Sequence, residues 1–320
     1  MSFTLLNSSS LDHKEWDKLL ESTEAATFYH TSVWADLWEK SYDFCRALYF
    51  VEKIDSGYAL ALPLIKIRKK GWESLFSMPM GGYGGPVNLL SAESQKEEFL
   101  LEVLSIVKSL KTLRFQIVDF LGKYPFLAQA GFTSRQAFTH LIELGNSDLD
   151  GLLTKRGFQQ AERKKVKARK IEAGKEVQIC YDLYLKTCQR HKTIPKYSQP
   201  FYLNIFNSGK GCDWLLWWLA EVDNKIIGYQ INFVFKDELY LWDGGSDPEG
   251  LSWRTNDFLM GQSLKWCKEH NLFHYNLGGS PPGTEGLVHF KEQWGGKRKS
   301  YQVYEKTFTL GKLVDILRRR

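Results

Sequence analysis

The sequence lacks the cysteine patterns that build a disulfide framework or a zinc site. Its five cysteines lie far apart, with no CxxC pair and no His/Cys cluster. That fits reduced thiols in a reducing compartment, and no metal is expected. The first residues, MSFTLLNSSSLDHKEW, have no basic segment leading into an apolar one, so no secretory signal is expected. Long apolar runs are also missing. The longest, WLLWWLA at 214–220, is far too short to span a bilayer. A soluble cytoplasmic protein with no transmembrane segment is expected, and the final Leu317-Arg318-Arg319-Arg320 leaves contact with a membrane surface open. Strong charge of either sign is absent too. The net charge of +6 suits an anionic ligand such as a nucleotide, a CoA-like donor or tRNA, without establishing one.

Large rings, by contrast, are abundant: 11 Trp, 15 Tyr and 20 Phe, which either build the core or line a pocket for sugars, bases or peptides. At 320 residues the chain has room for one large domain or two of ordinary size. The first ~45 residues read as two amphipathic helices, with Trp16, Leu19 and Leu20, then Trp34, Leu37 and Trp38, at helical spacing. Strands follow at 46–53 and 57–68 around a turn at Asp55-Ser56-Gly57, then a strand at 75–80, the glycine-rich loop 81–86, a helix at 95–111 and a strand at 113–120.

The second half repeats the order: strands at 215–222, 226–235 and 238–243, Gly244-Gly245, a helix at 255–270 and a strand at 272–277. The strand ends Ile117-Val118-Asp119-Phe120-Leu121-Gly122 and His274-Tyr275-Asn276-Leu277-Gly278-Gly279 are matched. An internal duplication of one α+β unit is expected, with one larger sheet as the alternative. Between the halves, 152–175 is helix-compatible and dense in Lys and Arg, which form a solvated face or contact phosphates.

Several residues carry chemistry by type and place. Asp243 ends a strand before two glycines, where it orients or deprotonates an amine, or simply makes a turn. Arg190, Lys196, Tyr197 and Tyr202 combine charge and rings as a phosphate or nucleotide-sugar site does, or else pack a loop on a helix. The glycines around Tyr83 let a ligand come close, or form a flexible turn, but are not a P-loop. His191, His274 and His289 are scattered and read as packing or surface residues.

The order of elements resembles that of GNAT acyltransferases, and two such units in tandem resemble the FemABX-like family. Four stretches carry the resemblance: Phe28–Trp34, Arg163–Gly174, Thr187–Tyr202, and above all Asn276–Gly296 (NLGGSPPGTEGLVHFKEQWGG). The resemblance implies tandem duplicated GNAT-like domains at 1–150 and 151–320, each a mixed, mostly antiparallel sheet flanked by helices, with the acyl-donor cleft in the second. It implies aminoacyl or acyl transfer to an amine of a cell-wall or envelope precursor, with aminoacyl-tRNA or acyl-CoA as co-substrate, no separate cofactor and no DNA partner. It places Lys291 near the donor, where a point charge holds phosphate or an oxyanion, with Phe290 and Trp294 beside it in the Phe-Lys-x-x-Trp-Gly segment. Thr187–Tyr202 corresponds to substrate contacts.

The chain departs from the family at Gly84-Gly85-Pro86, where Arg-Gly-Pro is usual, and at Asp36, where a Lys is frequent; the long coiled-coil arm is missing. The segment that would cradle CoA, 247–256 (DPEGLSWRTN), has one Gly and one Arg, Arg254, so the CoA signature is absent. Two other functions stay open: acyl-CoA-dependent transfer to an amino sugar or small amine, and a non-catalytic ligand-binding module on the same fold.

Overall fold

The computed structural model describes residues 2–54, 57–80, 82–89, 96–110, 112–281, 283–309 and 311. It divides into two units, one of residues 1–137 with 300–320, the other of residues 138–299. The sequence had pointed to a division between 150 and 151.

Unit 1 begins with β1 (Ser2–Asn7), then α1 (His13–Glu21) and α2 (Ser32–Ser41). Each helix starts where a side chain takes up backbone N–H groups. The Asp12 carboxylate accepts from Lys14 N and Glu15 N, both at 3.0 Å, and Thr31 Oγ1 accepts from Trp34 N at 3.3 Å. Trp16 and Leu20 on α1, and Trp34, Leu37 and Trp38 on α2, are buried, as their spacing predicts. β2 (Cys45–Ile54), β3 (Gly57–Lys69) and β4 (Trp72–Phe76) run antiparallel to one another. β4 stops earlier than expected, and Met78 and Met80 beyond it take left-handed backbone angles that end a strand. A two-residue β5 (Val87–Asn88) pairs with β3. α3 (Lys96–Ser109) lays Phe99, Leu100, Val103 and Val107 on the sheet, and β6 (Arg114–Asp119) pairs parallel with β4. Of the expected features here, Asp55, Ser56, Gly81, Gln95 and Lys111 lie outside the described residues, as does the run 317–320.

Unit 2 has β8 (Lys167–Lys170), α6 (Gly174–Arg190), α7 (Gln199–Gly209), β9 (Leu215–Val222), β10 (Lys225–Phe235), β11 (Glu238–Ser246), α8 (Thr255–Glu269), β12 (His274–Gly279) and α9 (Glu285–Gln293). Ahead of β8 come β7 (Thr133–Glu143), α4 (Leu149–Leu153) and α5 (Arg156–Arg163). The basic segment is therefore two short helices and a strand rather than one helix. Lys165, at φ 61°, ends α5, and Arg169 on β8 is held by Glu176 at 2.6 Å and Glu221 at 2.7 Å. The sheet is antiparallel except where β12 runs parallel to β11. α5 and α8 pack with Leu239, Tyr275 and Trp294 in the core on one face, and α6 and α7 cover the other.

The two units repeat one order. The strands are β1-β2-β3-β4-β6 in one and β8-β9-β10-β11-β12 in the other, with two helices after the first strand and one before the last. In each, pairing of the two parallel strands stops after three residues, at Phe76↔Gln116 and Tyr240↔Asn276. The strand ends thus correspond three residues earlier in unit 1 than the match of Asp119 with Asn276. Each sheet then gains one antiparallel strand from elsewhere in the chain. Residues 302–307 of β13 (Lys297–Thr307) pair with β6, and residues 139–143 of β7 pair with β12.

Because Tyr304 of β13 belongs to the core of unit 1, a chain ending at Lys299 leaves β6 an open edge. Limited proteolysis of that chain is expected to cut within residues 1–137 at least tenfold faster than in the full chain, with unit 2 fragments persisting; equal rates would show that β13 is dispensable.

Candidate functional site

β11 and β12 part beyond Tyr240 and Asn276, which leaves a gap in the sheet of unit 2 flanked by two strand ends. On the β11 side a bulge sets the chemistry. Ile231 faces Asp243 across the ladder while Asn232 faces Leu241, so Trp242 is an extra residue. The bulge lets Trp242 and Asp243 both meet the α6–α7 face. Trp242 packs on Tyr197 at 4.6 Å and on Phe201 and Tyr202 at 5.6 Å. Asp243 Oδ2 accepts from Tyr202 at 2.5 Å and from Tyr229 at shorter range. Gly245 follows because α6 passes too close for a side chain: a Cβ there would sit 3.0 Å from Thr187 Oγ1 and 3.3 Å from Leu183 O.

Burial pushes the Asp243 carboxyl above its usual range, against the pull of both phenols. Burial and the Asp243 charge push Tyr202 and Tyr229 well above theirs, so both remain donors. A carboxylate with raised proton affinity, steadied on one oxygen, is suited to accept a proton from an amine.

On the β12 side lies Lys291, 3% exposed. Its Nζ donates to the carbonyls of Gly278 at 2.9 Å and Gly279 at 2.8 Å. Gly278 has φ +74°, and a Cβ there would lie 3.2 Å from Leu241 O, so the strand end needs glycine. Burial alone lowers the Lys291 ammonium to about 7. Asn276 fixes where pairing ends. Its Oδ1 accepts from Thr139 Oγ1 at 2.5 Å and Gly278 N at 3.1 Å, and its Nδ2 donates to Glu238 at 2.9 Å.

The other predicted residues are placed as follows. Tyr197 and Tyr202 join Asp243 in the ring cluster. Arg190 donates to Ser246 O at 3.2 Å, near the end of β11, and Lys196 is exposed while its backbone N–H donates to Tyr184 Oη at 2.6 Å. Arg254, in a left-handed conformation before α8, donates to Gln160 at 3.3 Å. Trp294 is buried in the core beneath α9, with Phe290 half-buried against it. Tyr83 belongs to unit 1 and is buried among Tyr29, Phe120 and Tyr301. Tyr229, Trp242, His140 and Glu238 went unpredicted. Tyr229 alternates with its neighbours as any strand residue does, and only the bulge turns Trp242 and Asp243 toward it.

In unit 1 the corresponding gap is filled by the chain's own backbone. Ser77 Oγ donates to Gly84 O at 2.9 Å and accepts from Val118 N at 2.7 Å, bridging the parted strands. Gly85 lies so near Val118 O that a Cβ would come within 2.3 Å, and His30 Nε2 sits 3.0 Å from Gly85 N. The close approach expected of this glycine loop is therefore to the protein itself. The cavity left there, of about 20 Å³, has room for a water at most.

Among the described residues, no group of three or more His, Cys, Asp or Glu could hold a metal, and no helix is long and apolar enough to cross a membrane. Residues 154–292 match a family model described as an acetyltransferase (GNAT) domain. No curated protein matches the sequence. Among solved structures the chain is similar to FemX (TM-score 0.68, 12% identity, covering 94% of this chain and 97% of that one). It is also similar to the C-terminal domain of a putative lysylphosphatidylglycerol synthetase from Agrobacterium fabrum (TM-score 0.61, 14% identity, 95% of each chain). A third is a tandem GNAT protein from the clavulanic acid biosynthesis pathway (TM-score 0.61, 11% identity, 96% of this chain and 98% of that one). The fold is the tandem GNAT fold, and the likeness in fold to FemX covers 94% of the chain.

A folded-state ammonium lowered to about 7 is ionised at a cost to stability. Above the unfolded value of about 10.4 there is no cost; it grows as pH falls to 7 and is constant below. Lys291→Met is therefore expected to raise unfolding stability at pH 7 by on the order of 2 kcal/mol or more, and to lose that advantage toward pH 10. Urea denaturation at several pH values measures this; a destabilised variant at pH 7 would show that the two carbonyl contacts outweigh the desolvation.

Proposed function

We propose that this protein is an N-acyltransferase that moves an aminoacyl or acyl group onto an amine of a cell-wall or envelope precursor, with the chemistry in the parted strands of unit 2. What supports this is the parting of the two strands, with the buried Asp243 carboxyl at the bulge of β11 and the buried Lys291 ammonium of α9 on the carbonyls that end β12. The acceptor nitrogen gives a proton to Asp243 and attacks the donor carbonyl. The carbonyl electrons move to oxygen, where the Lys291 charge stabilises them. Collapse expels the donor's hydroxyl or thiol, which recovers a proton from Asp243. Tyr202 and Tyr229 hold the carboxyl in place, and Tyr197 with Trp242 bounds the acceptor. Arg190 and Lys196 offer positive charge to an acceptor phosphate. Phe290 and Trp294 fix α9 and hence Lys291.

For the donor, aminoacyl-tRNA is favoured over acyl-CoA. Pyrophosphate in such folds rests on backbone N–H groups at the start of the helix after the parted strand. Here Asp247 opens that loop, bonded to Lys186 at 2.8 Å, and Asp257 stands in the first turn of α8. Carboxylates at both ends oppose a pyrophosphate. The reading places the protein in the cytoplasm, where charged tRNA is made; the acceptor brings it to a membrane surface if that acceptor is lipid-linked.

Transfer assays with aminoacyl-tRNA and with acetyl-CoA, using a UDP-linked muropeptide as acceptor, test the reading. Asp243→Asn is expected to lower kcat by roughly 10²- to 10⁴-fold, with KM for donor little changed and the fold intact. In the wild type the rate rises with pH through a midpoint above the ordinary Asp value of about 3.9, because burial raises that carboxyl. Acceptor binding without transfer from either donor would sink the enzyme reading in favour of a binding module.

A further inference from the structure

In unit 1 the turn between β3 and β4 carries rings and cations into solvent. The turn has two residues, Lys70 and Gly71, at φ 53° and 79°, which suits the twist of the paired strands. Residues 68–72 are all exposed, and a Cβ on Gly71 would meet no atom within 4 Å, so the turn projects from the sheet. Trp72, at 40% exposure, is the one exposed tryptophan of 11. Lys69 pairs with it across the ladder and stands 5.1 Å over the ring of Phe44, itself 39% exposed. Tyr42 packs on Phe44 at 5.3 Å and on the buried Trp38 of α2 at 5.4 Å, which anchors these rings to the core.

Positive charge is in excess at this end of the sheet. Arg46, Lys66, Arg68, Lys69 and Lys70 stand against Asp43 and Glu73. Glu73, which faces Arg68 across the ladder, is bonded to Lys66 at 3.3 Å, and Arg46 donates to the carbonyls of Asp43 at 3.1 Å and Cys45 at 2.6 Å. Among the described residues Arg68, Lys69 and Lys70 have no ion pair. The fold does not ask for any of this. The β10–β11 turn of unit 2 has the same length, at Lys236-Asp237, yet sets Phe235 opposite Glu238 where unit 1 sets Lys69 opposite Trp72, and has Val234 in the place of Arg68.

We propose that the β3–β4 turn docks this protein on an anionic phospholipid surface, with Trp72 and Phe44 entering the headgroup layer and Arg68, Lys69 and Lys70 meeting lipid phosphates. An indole has an apolar body and a polar edge, which fits the boundary between acyl chains and water, and cations beside it add attraction to acidic lipid. A single-stranded nucleic acid fits less well. Its bases stack on open ring faces and its backbone runs in a charged groove. Phe44 already carries Lys69 over its ring and Tyr42 against it, and the cations lie on a projecting turn. Docking does not rest on the proposed reaction, since every residue involved belongs to unit 1.

Sedimentation of the full chain with vesicles tests this, using phosphatidylcholine alone and phosphatidylcholine with phosphatidylglycerol at two to one. The protein is expected to bind the acidic vesicles and to leave them as salt rises. Arg68→Ala, Lys69→Ala and Lys70→Ala combined are expected to weaken that binding by roughly 10²-fold, about fivefold for each cation. Lys236→Ala, on the corresponding turn of unit 2, is expected to leave it unchanged. Vesicles whose acyl chains are brominated near the headgroup are expected to quench part of the wild-type tryptophan fluorescence, and Trp72→Phe to bind as well but lose that quenching. Equal binding to both vesicle types, wild-type affinity in the triple variant, equal weakening by Lys236→Ala, or the same quenching in Trp72→Phe overturns the proposal. So does binding of a single-stranded RNA oligonucleotide, weakened by the triple variant, while vesicles leave the protein in solution. Vesicle binding without acyl transfer supports the docking surface and removes the reaction; transfer to a soluble acceptor with no vesicle binding does the reverse.

Discussion

The arrangement of buried charged groups in unit 2 depends on β11 and β12 ceasing to pair after three residues. A continued ladder would spend the backbone N–H and C=O groups beyond Tyr240 and Asn276 on each other, and no ligand could lie between them. Two local devices keep the strands apart. On β11 the extra residue at Trp242 breaks the register with β10 and turns Asp243 toward Tyr202 and Tyr229. On β12 the carbonyls of Gly278 and Gly279 are occupied by Lys291, while Asn276 gathers Thr139, Gly278 and Glu238 at the last paired position. The same bonds that hold the gap open therefore carry the charged groups that flank it.

That arrangement is costly in isolation. A carboxyl raised by burial and an ammonium lowered by burial are each less stable in their ionised forms than in water. Unit 1 shows the inexpensive alternative built from the same order of elements. There the gap is bridged by one serine hydroxyl and stoppered by a glycine that His30 holds in place.

The duplication and most strands of both units were legible in the sequence, because strands with turn signals such as Asp223-Asn224 announce themselves locally. Asp243 was expected to end its strand at 243, but β11 continues to Ser246 and holds Asp243 beside the bulge. The strand β8 was not legible. Its Lys and Arg spacing suits a helix, and only pairing with β9 and the grip of Glu176 and Glu221 on Arg169 make it extended. The partnership of Tyr229 with Asp243 was hidden by the bulge, which shifts the facing by one residue without leaving a mark in composition. Phe290 and Trp294 looked like ligand contacts from their motif, and the structure places Trp294 in the core with Phe290 against it. β7 and β13 were missed since each pairs with a strand far away in the chain.

Those two distant strands set the order in which the protein can be made. The sheet of unit 1 takes its last strand from residues 302–307, which leave the ribosome after all of unit 2 has been synthesised. The N-terminal half thus waits, with the edge of β6 uncovered, through the translation of more than half the chain. Unit 2 has no such delay, because β7 precedes the rest of it and is in hand when β12 emerges. The half carrying the gap can therefore mature first, and the half that begins the chain is the last to close.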